Sequence, residues 1–184
     1  MKIITNNRFN IGRPYTEDAP ADCHYFFNLT TGDNLIEALR DNRETTIDLI
    51  DSINPGMEDF KCAEEKRSVK MIFLHLVDAE RFYNYKAFCT SRGTAVELEF
   101  HQTAHATNFN TDNRTMPSIA EEFLILREGT INLFRNMTAE MLDFKMPGNK
   151  VIYTSRSLGW MAVGYNIHQC NIIREQCLEK TGTN

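Results

Sequence analysis

Residues 68–93 read SVKMIFLHLVDAERFYNYKAFCTSRG, and this stretch decides the fold. Val69, Ile72, Phe73, Leu76, Tyr83 and Ala87 recur at the spacing that places side chains on one face of an α-helix rather than of a strand. Ser68 stands where a hydroxyl can cap the first turn. Gly93 follows the last periodic residue, where a helix often ends in a left-handed residue. The spacing predicts a helix from Ser68 to about Ser91 with one apolar face. Such a face must be buried against other elements.

The rest of the chain supplies them. Upstream, Leu35, Ile36, Leu39, Ile47, Ile50 and Ile53 form a second stripe. Asp33 or Thr31 caps it, Gly32 allows the turn before it, and Asn54-Pro55-Gly56 stops it. Downstream, Ile119, Phe123, Leu126, Thr130, Leu133 and Met137 follow Ser118 and Glu121, a match to the S-x-x-E capping box. A last helix is predicted from Ser157 to about Lys180-Thr181-Gly182, with Leu158, Met161, Ala162, Tyr165, Ile172 and Gln176 inward. Residues 94–116 have no helical period. Val96-Glu97-Leu98-Glu99-Phe100 alternates as a strand would, but nothing pairs with it, and the stretch reads as an irregular crossover. Residues 1–31, rich in Pro, Asn, Asp and Thr, read as an extended arm that Tyr15, Tyr25, Phe26 and Phe27 can pin down. The expectation is all-α: one domain over 1–184, a four-helix bundle with a long crossover between helices two and three.

Composition excludes several classes. The chain has 184 residues, 42% hydrophobic and 24% charged, with a net charge of -5. That is a globular composition without the basic footprint of a general nucleic-acid binder or of a protein docked electrostatically on anionic lipid. No stretch reaches the ~18 apolar residues of a membrane helix, and the N-terminus lacks the apolar core of a secretory signal. The expected setting is the cytoplasm, with neither nucleic acid nor membrane as partner. The cysteines, Cys23, Cys62, Cys89, Cys170 and Cys177, are odd in number and form no C-x-x-C pair. They are expected to be small apolar side chains rather than a disulfide framework or zinc site.

There is no G-x-S-x-G, Walker or H-E-x-x-H motif, so the bundle interior is the place to look for chemistry. The histidines are His24, His75, His101, His105 and His168. His75 in IFLHLVDAER and His168 in GYNIHQCNIIRE lie in apolar runs on different helices, as core residues or as ligands. His101 and His105, four apart in the crossover, are either exposed loop residues or ligands folded over the bundle mouth. Glu80 falls near the centre of its helix's apolar face, where a carboxylate needs a partner. Arg127 or Arg174 can provide it, as an ion pair that fixes helix register rather than as acid–base machinery.

Five segments resemble, in order, the DinB/YfiT-like family of metal-dependent bundle proteins from bacteria. They are RPYTEDAP, KRSVKMIFLHLVDAERFYNYKAF, SRGT, RTMPSIAEEFLILREGTINLF and SRSLGWMAVGYNIHQCNIIREQCL. The combination of H-L-x-D-A-E-R, W-x-x-x-G and N-I-I-R-E carries the likeness. The resemblance implies a four-helix bundle, often a homodimer, holding one divalent nickel or zinc through three histidines. One ligand position is His75. The other two form an H-x-x-x-H pair after W-x-x-x-G, and here those positions are Tyr165 and Gln169. At about 100° per residue, both lie within about 20° of Leu158, mid-stripe, whereas His168 lies about 80° away. A phenol and an amide are weak ligands for zinc or nickel beside imidazole.

The sequence therefore predicts a bundle with a degraded metal site, acting as a small-ligand-binding or stress-response protein. The alternative is the activity the resemblance implies, a divalent-metal-dependent hydrolase or thiol-dependent transferase. In that case His168, His101 or His105 replaces the missing ligands.

Overall fold

The computed structural model describes residues 10–61, 67–94, 111–145 and 152–178. Six α-helices follow one another among them: α1 (His24–Leu29), α2 (Leu35–Asp51), α3 (Val69–Ser91), α4 (Met116–Arg135), α5 (Ala139–Asp143) and α6 (Ser155–Ile172). α6 runs on into a π-helical turn, Ile173–Leu178. The long helices α2, α3, α4 and α6 make the four-helix bundle, with α3 and α2 each packed on both α4 and α6. Between them lie Leu39, Ile72, Phe73, Phe123, Phe134 and Trp160, all buried. The described residues contain no strand beyond one isolated bridge between Lys61 and Ser68. No described helix is long and apolar enough to cross a membrane.

α3 begins and ends as its sequence predicts. Ser68 Oγ accepts the Met71 N–H at 3.3 Å, and Gly93 takes φ +69°. Ser68→Ala is expected to cost about 1 kcal/mol, the usual worth of such a cap. A urea denaturation curve should show a lower midpoint and an unchanged slope. An unchanged midpoint would mean that the hydroxyl contributes nothing.

Three caps sit elsewhere than expected. In α2 the cap is Asn34, whose Oδ1 accepts the Ile36 N–H at 3.1 Å, rather than Asp33 or Thr31. In α4 it is Thr115: its Oγ1 accepts the Ser118 N–H, and Ser118 Oγ accepts the Thr115 N–H in return. In α6 Thr154 and Ser157 repeat the same exchange. Each of these two helices is therefore capped three residues before the serine that the sequence suggested. A serine hydroxyl fills the place usually taken by Glu or Gln in the capping box. Pro117 falls inside the first turn of α4, where no N–H is missed.

Within its described residues, 10–31, the arm is not the extended segment that was expected. Residues 16–18 and 21–23 are 3₁₀ turns, and α1 is a true helix packed on α6. Cys23 and Phe27, four residues apart, turn one buried face inward. Tyr25 and Phe27 do pin it, Tyr25 Oη lying 3.3 Å from His168 Nδ1 and Phe27 being buried, but Tyr15 is 67% exposed. Ile11 is buried instead, the Trp160 indole N–H donates to the Gly12 carbonyl at 2.9 Å, and Arg13 donates to the Phe27 and Thr30 carbonyls. α5 was not foreseen, since five residues are too few for a period. The crossover strand-like alternation at 96–100 and the end of the last helix at 180–182 lie outside the described residues. The expectation for the cysteines needs one correction. Cys23, Cys89 and Cys170 are free and buried, but Cys177 is disulfide-bonded, where five reduced thiols were expected.

Candidate functional site

Two polar constellations occupy the bundle interior. The first begins at Arg127 on α4, which is fully buried. Its Nε and Nη2 donate to the two carboxylate oxygens of Glu80 on α3, each at 2.9 Å. Its Nη1 donates to Asn42 Oδ1 at 2.8 Å and to the Leu39 carbonyl at 3.1 Å, both on α2. Asn42 Nδ2 then donates to Asn166 Oδ1 on α6 at 2.9 Å, and Thr46 Oγ1 donates to that same oxygen. One chain of hydrogen bonds thus joins all four long helices. A guanidinium can only donate, so Asn42 must turn its oxygen to Arg127 and its nitrogen to Asn166. Of the two arginines the sequence offered to Glu80, the partner is Arg127.

The second constellation contains the positions that the sequence marked for metal. His75, Tyr165 and Gln169 are all buried. His75 Nε2 and Tyr165 Oη share a hydrogen bond at 2.5 Å, and the Tyr165 ring also packs against Tyr83 at 5.8 Å. Gln169 Oε1 accepts from Arg67 Nη2 at 3.3 Å. His168 stands apart at the bundle edge, half-buried, its Nδ1 3.3 Å from Tyr25 Oη. His101 and His105 lie outside the described residues.

This donor set does not fit a divalent metal. The one imidazole nitrogen facing Tyr165 is engaged with its hydroxyl, and the amide oxygen of Gln169 faces a guanidinium, whose charge repels a second cation. Among the described residues no three His, Cys, Asp or Glu side chains gather as a metal would need.

Burial shapes the remaining groups. It pushes the Cys170 thiol up to about 11 and holds the Tyr83 phenol well above its ordinary value, so both stay protonated at neutral pH. Phe26 on α1 closes over Tyr165 with ring centroids 5.4 Å apart. The helix can come that near because residue 164 is glycine: a Cβ there would lie 2.0 Å from the Phe26 carbonyl oxygen. On another side of α6, a cleft of about 250 Å³ is lined by Asp33, Glu37, Asp41, Ala38, Val163 and Ile167, among others. Sequence reasoning missed Asn42, Asn166 and Arg67. Asn42 was within reach: it lies between Leu39 and Thr46 at helical spacing, so a polar residue on the inner face was readable.

A family model described as the DinB superfamily matches residues 38–171. Among solved structures, YfiT from Bacillus subtilis, described as a probable metal-dependent hydrolase with an unusual four-helix bundle topology, is similar with a TM-score of 0.70. The likeness covers 96% of this chain and 100% of that one at 13% identity, which speaks for the fold. No curated protein matches.

Proposed function

Because this chain belongs to the DinB superfamily, we propose that it keeps the family's bundle while its metal site has become a hydrogen-bonded core cluster. On this reading it is a small-ligand-binding or stress-response protein without robust metal catalysis. The observation that supports it is the fate of the donor atoms. At the three positions that the family resemblance assigns to metal, His75 is bonded to Tyr165, and Gln169 to Arg67. His75 Nε2, Tyr165 Oη and Gln169 Oε1 are thereby each engaged by another side chain. A cleft of about 250 Å³ beside α2 and α6 offers space for a small molecule away from that cluster.

The test is to restore the family ligands. Tyr165→His with Gln169→His places two imidazoles one helical turn apart, the spacing of other i, i+4 metal pairs. With His75 they supply three nitrogens and leave a position for water. Zinc or nickel affinity should rise at least tenfold, about 1.4 kcal/mol, in a titration of both proteins. Loss of the tyrosine ring should lower the melting temperature without metal, and metal should recover part of it. Wild-type protein that already binds stoichiometric metal as tightly as the variant would overturn the proposal. The metal-dependent hydrolase or transferase reading would then lead, with His101, His105 or His168 supplying ligands.

A further inference from the structure

The cleft beside α2 and α6 brings together three kinds of surface. Ala38, Val163 and Ile167 give it an apolar lining, and Asp33, Glu37 and Asp41 bring carboxylates. Glu37 and Asp41 lie four residues apart on α2, so they share a face, about 6 Å from each other along the helix. Asp33 stands just before the cap. All three are exposed, and none pairs with a cation among the described residues. Arg43 on the same helix turns to Glu44 and Glu128 instead. The helix dipole favours Glu37 in the first turn but does little for Asp41, and like charges at this spacing repel. The third surface is Asn42, which is 6% exposed and also lines the cleft. Its Oδ1 accepts from Arg127, which fixes the amide's orientation, and one Nδ2 hydrogen goes to Asn166. An amide nitrogen carries two donors, and the second meets no acceptor among the described residues. A buried N–H left so is costly.

We propose that this cleft binds a slim aliphatic amine with an acceptor oxygen at its far end, the chemistry of an N-acylated diamine. The inference rests on the small-ligand reading above and gives that ligand its class.

Each part of such a molecule answers one surface. The ammonium meets the carboxylates and relieves their mutual repulsion. The methylenes lie on Ala38, Val163 and Ile167. The carbonyl oxygen accepts the second Asn42 N–H, from an amide that its bonds to Arg127 and Asn166 hold in place. The cleft's volume, about 250 Å³, falls below the roughly 300–1,000 Å³ of drug-sized sites, which suits a single unbranched chain. The carboxylates repel an anion. An exposed ion pair contributes little alone, so selectivity requires the charge and the acceptor together.

The experiment titrates the full-length protein with N-acetylputrescine in the presence of EDTA, followed by two-dimensional amide NMR. Signals of residues 33–45 and 163–167, which bound the cleft, should move. Butylamine, which lacks the carbonyl, and N-butylacetamide, which lacks the charge, should each bind at least about threefold more weakly. Glu37→Gln with Asp41→Asn should weaken N-acetylputrescine at least about threefold. Glu121→Gln with Glu175→Gln removes the same charge from exposed positions outside the lining and should change its affinity less than about twofold. No binding, shifts spread over the acidic surface, equal binding of butylamine, or an equal loss in the Glu121 and Glu175 variant would each overturn the proposal. Equal binding of N-butylacetamide would overturn the cationic ligand while leaving a small-ligand cleft in place. EDTA keeps metal out, so none of these outcomes bears on the His75 cluster, which the metal titration decides.

Discussion

Arg127→Ala is expected to destabilise the protein by about 3–5 kcal/mol, the usual consequence of removing one partner from a buried ion pair. The variant strands the Glu80 carboxylate, which is 3% exposed. It also takes donors from Asn42 Oδ1 and the Leu39 carbonyl. Each unmet buried acceptor adds to the penalty. The pair's own net contribution is another matter. Desolvating both ions offsets much of their attraction, so replacing them together by apolar groups of similar size can be close to neutral. Glu80→Leu with Arg127→Met should therefore cost much less than Arg127→Ala alone. Chemical denaturation of the single and double variants gives the coupling directly. A loss below about 1 kcal/mol in Arg127→Ala would show that the buried tie is not what holds the four helices in register.

Gly164→Ala should be the next most damaging small change, at about 3 kcal/mol, the upper end of overpacking costs. The added Cβ would meet the backbone of Phe26, 2.0 Å from its oxygen and 2.6 Å from its carbonyl carbon. A main-chain carbonyl cannot swing aside as a side chain can, so α1 must lift from α6. Gly159 makes a useful contrast. A Cβ there would lie 2.5 Å from Leu35 Cδ2 and 2.8 Å from the tip of the Phe134 ring, both ends of side chains that can rotate. Hydrogen exchange read along the chain should show Gly164→Ala releasing residues 24–29, and Gly159→Ala leaving them protected. Equal protection of α1 in both would contradict this account.

Where one apolar face carried a helix, the sequence was legible. Ser68 and Gly93 bound α3 as their chemistry demands, because an N-cap hydroxyl and a left-handed glycine are local requirements. The starts of α4 and α6 were misplaced for an equally local reason. Thr115 and Thr154 each share their cap with a serine three residues on, and in both cases that serine, itself a good capping residue, reads as the cap. α1 was missed because its face rests on only two buried residues, Cys23 and Phe27, and its position depends on a glycine about 140 residues away in sequence. In the interior, helical phase could say that Tyr165 and Gln169 point inward. It could not say that Arg67, from before α3, reaches Gln169, or that Asn42 hands the Arg127 bond on to Asn166. Those partners are set by how the helices cross, which no single helix encodes.

The tie through Arg127 also bears on the order of assembly. Its members stand 47 residues apart at Glu80 and Arg127, 85 at Asn42 and Arg127, and 124 at Asn42 and Asn166. Closing such loops costs chain entropy before any bond rewards it, and the last bond needs α6, the final long helix. Helical pairs with nearer partners can form first, so the tie is expected to close after the rate-limiting step. Groups that engage there act on the escape rate from the native state and leave the rate of reaching it nearly untouched. The polar chain at the centre of the bundle is thus a latch on lifetime more than a guide to folding.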